Sequence, residues 1–373
     1  MGLDGLDKNY FATLFILHLN ALHISNFKNI KAFSNPDLGK IVAITGANGI
    51  GKTNLLDAIH YLCLTKSYFN AIDTQNIAFD ANFFAIEGEF STNTGDKTVF
   101  CGYQQRKVVK TNGVEYDRLA NHIGFFPVVM VAPIDVMLIL EGSETRRRFV
   151  DVVLSQVDGL YLKNLSGYNA ILNNRNAVLK QSHSQSIDYK LINVYNEQLN
   201  HYGMQIFEQR IHFFEQFLPL FQSHYQTISG GSEQVSIIYH SQLMHLNLLE
   251  LLNQNWEQDR AAQRTNVGIH KDDLAFLIGE KPLKKFGSQG QQKSFLIALK
   301  LAQYDFLYQK LNRKPLLLLD DIFEKLDYKR LSHLLKLVSD NHFGQIFLTD
   351  TQRTRVEQIF NQFENEVCYL EMV

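Results

Sequence analysis

The sequence feature that most constrains this chain is a glycine-rich loop at residues 46–53, Gly-Ala-Asn-Gly-Ile-Gly-Lys-Thr. The loop follows a β-branched run at 40–45 and precedes an apolar stripe with helical spacing at 55–62. A strand, a glycine loop and a helix in this order form the context that a phosphate-binding P-loop requires. The pattern therefore predicts an α/β fold that binds a nucleotide. A chance glycine turn before a helix is the alternative.

The residue types of the loop suit contact with phosphate and magnesium. Its glycines permit positive φ and close backbone approach, so that successive N–H groups can point at a β-phosphate. Lys52 supplies a cation for the β- and γ-phosphates, and Thr53 offers a hydroxyl to Mg²⁺. We predict ATP and Mg²⁺ as cofactors. The predicted binding residues are Gly46, Ala47, Asn48, Gly49, Ile50, Gly51, Lys52 and Thr53.

A second motif joins the apolar run 316–319 to Asp320 and Asp321. Such a run suits a buried parallel strand, whose carboxyl end is where α/β sheets place their ligands. We expect Asp320 to hold Mg²⁺ through water and Asp321 to orient the attacking water or accept its proton. A solvated turn after a strand is the alternative.

A third motif, residues 288–292 (Ser-Gln-Gly-Gln-Gln, here the signature segment), opens a helix with an apolar stripe from Phe295 to Phe306. The free N–H groups, the Ser288 hydroxyl and the helix dipole predict a second anion site. The glycine-rich loop at 46–53, here called the phosphate cradle, already accommodates the nucleotide phosphates, however. The alternative is a serine that merely caps a helix.

Changes in residue pattern along the chain predict how it is divided. Segments 83–90 and 98–109 are typical of antiparallel strands, whereas the residues from 144 onward have helical spacing that is broken strongly only at Gly230 and Gly231. Strand character returns at 268–278. The predicted parts are an N-terminal extension (1–15), the N-terminal part of an ATPase head (16–143), a helical arm (144–265) and the C-terminal part of the head (266–373).

Composition excludes several classes of protein. The three cysteines lack metal-ligand spacing, which argues against a zinc site or a disulfide framework and favours a reducing cytoplasm. Apolar segments fall short of the roughly 20 uninterrupted residues of a membrane span. The 36 Lys and Arg against 38 Asp and Glu give a net charge of -2. Any contact with nucleic acid must therefore use a local basic patch.

Taken together, the three motifs resemble the ABC-type ATPase heads of the RecF family. The similarity covers nearly the whole chain. It extends to Asn26-Phe27-Lys28-Asn29, Lys66-Ser67-Tyr68, Glu141-Gly142-Ser143 with Arg146-Arg147-Arg148-Phe149, and Gly268-Ile269-His270-Lys271-Asp272-Asp273-Leu274.

The resemblance implies an ATP-dependent homodimer in which two subunits sandwich the nucleotide. Ser288, Gly290 and Gln291 of one subunit would close over the γ-phosphate held by the other subunit's cradle. Asp327 would lie near the dimer seam, with a helix N-cap as the alternative role. Hydrolysis would then remove the γ-phosphate contacts and release the dimer.

The resemblance also implies a function and partners. It implies a weak, DNA-stimulated ATPase of recombinational repair and replication restart that clamps duplex DNA near single-strand gaps. RecR- and RecO-like mediator proteins would be its partners in loading a recombinase. Arg146, Arg147 and Arg148 are the leading candidates for DNA phosphate contacts. The alternative is that helical geometry separates them and some pair with acids.

Several departures from the wider ABC pattern leave roles open. Asp321 stands where most ABC ATPases have glutamate, although RecF-like proteins share this aspartate. Residues 349–351 (Thr-Asp-Thr) stand where many have a histidine switch, so the residue that contacts the γ-phosphate there is undecided. The segment around 270 carries Ile269 and Lys271 in place of Pro and Arg, and we interpret His270 as a hydrogen-bonded structural histidine on a strand.

Two competing functions remain to be separated from a DNA clamp. The ATP-binding subunit of a membrane transporter shares the ATP sandwich, but the signature segment replaces the transporter-like LSGGQ and the helical arm is longer than a transporter head needs. A scaffold that binds ATP without hydrolysing it is the other alternative. Asp320 and Asp321 argue against the scaffold.

Overall fold

The computed structural model describes residues 17–181, 188–231, 233–322, 328–361 and 367–372. Its strands are β1 (Leu17–Phe27), β2 (Ile30–Asn35), β3 (Ile41–Thr45), β4 (Phe84–Thr92), β5 (Lys97–Tyr103), β6 (Lys107–Thr111), β7 (Val114–Glu115), β8 (Val128–Val131), β9 (Val235–His240), β10 (Asp273–Ile278), β11 (Lys281–Pro282), β12 (Leu316–Leu319), β13 (Ile346–Asp350) and β14 (Val367–Glu371). Its helices are α1 (Lys52–Leu64), α2 (Met137–Leu140), α3 (Ser143–Val157), α4 (Gly159–Gln181), α5 (Tyr189–Ser229), α6 (Leu248–Gln254), α7 (Trp256–Ala262), α8 (Leu283–Phe286), α9 (Gln289–Leu311), α10 (Tyr328–Ser339) and α11 (Arg353–Phe360).

The chain forms two compact units. The first contains the residues up to Ala132 and those from Leu307 onward, and the second contains Pro133–Phe306. A long insertion therefore interrupts the first unit, and it begins at Pro133 rather than at the predicted residue 144. Among the described residues, none of the helices combines the length and apolarity needed to cross a membrane.

A five-stranded parallel sheet of order β14-β3-β13-β12-β8 forms the centre of the first unit. Strands β3, β8, β12 and β13 are buried at every position, which explains why their sequences are almost continuously apolar. This confirms the strands predicted at 40–45 and 316–319. Because the strands are parallel, the residues that follow β3 and β12 and those that end β13 lie at one edge of the sheet.

An antiparallel six-stranded sheet of order β2-β1-β4-β5-β6-β7 completes the first unit and confirms the predicted antiparallel sheet. The single strand predicted over 98–109 is wrong, because β5 and β6 are two paired strands. The chain reverses at Gln104-Gln105-Arg106, where the Gln104 N–H donates to the Arg106 carbonyl. The three residues of this turn are all polar, so none of them needs to be buried by continuing the strand.

The second unit is built around helix α5, which has 41 residues. Helix α4 runs antiparallel to it, with hydrogen bonds from Asn164 to Gln205 and from Arg175 to Asn196. The aromatic ring of Phe217 packs beside those of Phe213 and Phe149. These rings form an apolar core along one face of α5.

The boundary at residue 266 differs from the one expected from the sequence. Strand β10 pairs with β9 of the predicted arm. The α9 rings Phe295 and Phe306 contact Phe221 and Phe213 of α5. Backbone pairing and aromatic packing therefore place residues 266–306, including the signature segment, in the second unit.

His270 lies in a 3-10 turn, Ile269–Lys271, so its predicted place on a strand is wrong. The preceding Gly268 has φ 119°, a conformation that residues with a side chain rarely adopt. A Cβ at this position would also lie 2.5 Å from the Tyr168 hydroxyl, so the turn requires glycine here. The Tyr168 hydroxyl lies 2.8 Å from His270 Nδ1, and the Thr265 carbonyl lies 3.1 Å from its Nε2. The interpretation of His270 as a hydrogen-bonded structural histidine is confirmed.

We expect His270 to make folding stability depend on pH. Burial lowers its pKa from 6.5 to about 4. Because the unfolded chain then binds this proton more tightly, stability is lost as the pH falls from 6.5 towards 4. The loss attributable to His270 is about 2 kcal/mol between pH 7 and pH 5. Urea unfolding of wild type and His270→Gln at both pH values measures this loss. An equal change in unfolding free energy between pH 7 and pH 5 for the two proteins would contradict the assignment.

Candidate nucleotide-binding site

The glycine loop adopts a backbone conformation that depends on its glycines. Gly46 and Gly51 have φ values of 151° and 120°. A Cβ on Gly46 would lie 2.7 Å from the Met372 carbonyl oxygen, and one on Gly51 would lie 2.8 Å from Asn29 Oδ1. Both the dihedral angles and the close neighbours therefore exclude other residues from the two positions.

Asn29 braces the outside of the loop. Its Nδ2 donates to the Gly49 carbonyl at 3.0 Å, and its Oδ1 accepts from Asn54 at 2.7 Å. Asn29 thus ties the loop to the first turn of α1. This gives a physical role to one residue of the 26–29 segment, for which the sequence alone indicated only a resemblance.

Lys52 lies at the start of α1 and is 8% exposed. Its Nζ donates to the carbonyl oxygens of Gly46 and Ala47, at 2.7 and 2.8 Å. The loop therefore surrounds a nearly buried cation with its own carbonyl groups. A cation held in this way beside a helix N-terminus favours the binding of phosphate.

A buried carboxylate, Asp57, fixes α1 beneath the loop. It is fully buried and accepts bonds from Lys28 Nζ at 2.5 Å, Ser67 Oγ at 2.6 Å and the Tyr68 N–H at 2.6 Å. The segments 26–29 and 66–68 therefore meet at one carboxylate. Sequence reasoning missed Asp57. The only available signal was an acid within a helix that is buried at every position from Leu55 to Leu64.

The two carboxylates that follow β12 differ in environment. Asp320 is 4% exposed, and its Oδ1 accepts from the hydroxyls of Thr53 at 2.8 Å and Thr349 at 2.9 Å. Asp321 is half-buried and has φ 50°, and its N–H donates to Thr349 Oγ1 at 2.9 Å. Thr349 therefore bonds to both aspartates. The sequence left the role of this position undecided.

These side chains enclose one cavity of about 160 Å³. Its lining consists of Asn48, Gly49, Gly51, Lys52, Thr53, Asn54, Asp320, Asp321 and Thr349. The structure thus brings together the predicted phosphate-binding and carboxylate motifs in the first unit. The Thr53 hydroxyl and the Asp320 carboxylate are adjacent oxygen donors, the type that Mg²⁺ prefers, so they fit the predicted cofactor.

The signature segment lies in the second unit, where it caps helix α9. The Ser288 Oγ accepts from the Gln291 N–H at 3.2 Å, and the Ser288 N–H donates to Gln291 Oε1 at 2.8 Å. This reciprocal pair is a capping box, so the helix-cap alternative applies to Ser288. Ser288 is exposed, and as an acceptor in that bond its hydroxyl keeps its own hydrogen as a donor.

The three consecutive arginines have different environments. Arg146 makes a bidentate pair with Asp273, at 2.8 and 3.1 Å, and Arg147 donates to the Asp272 carbonyl at 2.7 Å. Arg148 is exposed. Arg146 therefore pairs with an acid, as in the alternative in which helical geometry separates the three arginines.

Two predictions fall on residues outside the described part of the chain. These are the placing of Asp327 at the dimer seam and the N-terminal extension at 1–15.

The chain is similar to known proteins in both sequence and structure. No family model matches the sequence. The chain is 48% identical over 346 residues to the DNA replication and repair protein RecF of Flavobacterium johnsoniae, covering 92% of this chain and 96% of the relative. It is 46% identical over 352 residues to RecF of Phocaeicola vulgatus, covering 93% of this chain and 94% of the relative.

Solved structures agree with this similarity. The recombination mediator protein RecF with ATP superposes with a TM-score of 0.86 at 28% identity, covering 92% of this chain and 95% of that one. An Smc head domain from Pyrococcus furiosus superposes with a TM-score of 0.54 at 15% identity, covering 96% of this chain and 94% of that one. The Smc likeness shows the fold alone. Together they confirm the predicted ABC-type ATPase head.

Proposed function

Because the chain belongs to the RecF family of DNA replication and repair proteins, we propose that it is an ATP-controlled DNA clamp. In this proposal, ATP in the cradle of one copy is closed over by the signature segment of a second copy, and the dimer holds duplex DNA near single-strand gaps. The observation that carries the proposal is the cavity that joins Lys52, Thr53 and Asp320. The exposed Ser288 of the second unit supports closure by a partner copy.

Within the cavity, each polar residue has a proposed role. The loop N–H groups and Lys52 would bind the β- and γ-phosphates. Thr53 and Asp320 would hold Mg²⁺, which neutralises phosphate charge when it is bound. Asp321 would orient the attacking water or accept its proton. Slow, DNA-stimulated hydrolysis would then release the clamp.

The wider setting of the clamp is also part of the proposal. RecR- and RecO-like proteins are the proposed partners, since the RecF structure with ATP is described within the RecFOR pathway. Arg148 is the exposed member of the arginine run and the first candidate for DNA phosphate contact. Cys63 and Cys101 are free thiols buried in the first unit, which suits a reducing cytoplasm.

Sedimentation velocity tests the clamp directly. We expect the protein to be a monomer with ADP and a dimer with ATP and Mg²⁺, and to bind a gapped duplex more tightly in the ATP state. Self-association and DNA binding that are the same in all nucleotide states would contradict the proposal. Co-purification with a membrane protein would favour a transporter subunit, which the RecF relatives do not favour.

Thr349→Val tests whether Thr349 supports hydrolysis. Valine keeps the shape but removes the hydroxyl that bonds Asp320 and the Asp321 N–H. Without that acceptor, the positive φ of Asp321 is less well supported. We expect ATP turnover to fall about tenfold or more. ATP affinity should stay within about threefold, since Lys52 and the loop are unchanged.

Thr349→Ser is the matched control, because it restores the hydroxyl, and it should recover most of the turnover. Single-turnover hydrolysis and equilibrium ATP binding measure the two quantities separately. Wild-type turnover in Thr349→Val would remove Thr349 from the mechanism. No turnover in the wild-type protein, with or without DNA, would instead favour the scaffold.

A further inference from the structure

Glu233 connects two helices of the second unit. It follows the end of α5 and precedes β9. One carboxylate oxygen accepts from the Tyr225 hydroxyl at 2.6 Å, and the other accepts from Gln291 Nε2 at 2.9 Å. Tyr225 is fully buried near the end of α5, and Gln291 belongs to the first turn of α9. A single carboxylate therefore links the end of the longest helix to the signature segment.

The Gln291 amide connects Glu233 to Ser288 through a second hydrogen bond. Its Nε2 group donates to Glu233, while its Oε1 accepts from the Ser288 N–H. A carboxylate only accepts hydrogen bonds, so it selects the amide orientation in which the NH₂ group faces it. The opposite orientation would set an amide oxygen against the carboxylate and an NH₂ group against the Ser288 N–H. Glu233 and the Ser288 N–H therefore favour the same orientation of the Gln291 side chain.

We propose that Glu233 is a positioning residue for the signature segment. By orienting Gln291, it holds the backbone and hydroxyl of Ser288 in the conformation that closes over a nucleotide on a second copy. The role of Ser288 in closure rests on the proposed function, whereas the orientation of Gln291 does not. Because Tyr225 bonds the same carboxylate, a displacement of the end of α5 reaches Ser288 through two side chains.

The same contacts connect Ser288 with the long helix α5. Helix α5 has 41 residues and is about 60 Å long at 1.5 Å per residue. Its first residue, Tyr189, lies at the opposite end of α5 from Tyr225. A displacement of α5 would therefore act on ATP-dependent closure without contact with the nucleotide.

Hydrogen exchange on the monomer, without nucleotide, tests the positioning step alone. Glu233→Gln keeps the size of the side chain but replaces the charged acceptor shared by Tyr225 and Gln291 with a neutral amide, so the charge-assisted bonds that orient Gln291 are lost. We expect exchange in the peptide containing residues 288–291 to rise about threefold or more. Tyr225→Phe, which removes only one hydroxyl, should raise it less. Glu250→Gln on the surface of α6 is the matched control and should change nothing there.

Sedimentation with ATP and Mg²⁺ tests the effect on closure. We expect Glu233→Gln to weaken ATP-dependent self-association about tenfold, with unchanged ATP affinity of the monomer. Unchanged exchange in Glu233→Gln would overturn the proposal, and so would altered exchange with wild-type self-association. If Glu233→Gln does not fold, the same two measurements are made on Tyr225→Phe. Unchanged exchange at 288–291, or altered exchange with wild-type self-association, would then overturn the proposal.

The two proposals fail in different ways. A wild-type protein that does not associate with ATP would end the clamp proposal. The exchange result would then still decide whether Glu233 orients the signature segment.

Discussion

Lys52→Ala is expected to lose ATP binding, with affinity reduced about a hundredfold or more. The wild-type ammonium is 8% exposed and lies against the carbonyl oxygens of Gly46 and Ala47. Alanine removes the only cation among the residues that line the cavity in the described part of the chain. The β- and γ-phosphates would then lose their side-chain cation and would keep only the loop N–H groups and the proposed Mg²⁺ near Asp320 and Asp321. Equilibrium titration with a fluorescent ATP analogue measures the loss.

A surface lysine of the same unit provides the control for Lys52→Ala. The Lys31 side chain is 79% exposed and lies 3.7 Å from Asp80, an exposed pair whose loss is worth little. Lys31→Ala should bind ATP like the wild type. Thermal unfolding of both variants separates lost binding from lost folding. A folded Lys52→Ala protein with wild-type affinity would mean that the loop is not the phosphate cradle.

Ser288→Arg is expected to have the opposite effect, with ATP binding retained and ATP-dependent dimerisation lost. Ser288 is exposed in the second unit, and Lys52 belongs to the first. Ser288 is not among the residues that line the nucleotide cavity, so the arginine should leave the cradle of its own chain unchanged. Its long side chain would occupy the space through which Ser288 is proposed to approach the partner's γ-phosphate. Sedimentation velocity with ATP and Mg²⁺, together with ATP titration, measures both properties.

Two controls separate bulk from capping in Ser288→Arg. Ser288→Ala removes the bond to the Gln291 N–H, at a cost of about 1 kcal/mol, without adding bulk. It should therefore weaken dimerisation less than the arginine does. Glu250→Arg adds the same side chain at an exposed position on α6 and should dimerise normally. Loss of ATP binding in Ser288→Arg would contradict the division of roles between the two units.

The sequence predicted the local motifs well because each depends on residues that are close in the chain. The glycine loop needs positive φ at Gly46, Gly49 and Gly51, and only a few residue types tolerate that conformation. The runs at β3 and β12 are apolar at consecutive positions because both faces of the sheet are covered. Strand, loop and helix therefore follow from short-range patterns.

Long-range pairing was not predictable in the same way. Asp57 bonds with Lys28, Ser67 and Tyr68, which no periodicity connects. The boundary at 266 failed because β10 pairs with β9, and a strand's partner is not encoded in its own alternation pattern. The prediction of a single strand over 98–109 was wrong because a short polar turn divides two segments that both have strand character.

The sequence by itself determined that this chain has a phosphate cradle followed by a helix, an Asp-Asp strand and a serine that opens another helix. Only the tertiary structure decided what surrounds them. It placed Thr349 between Asp320 and Asp321, paired Arg146 with Asp273, and brought Glu233 to Gln291. The physical reason is that a hydrogen bond depends on distance in space, and folding brings together residues that are far apart in the chain.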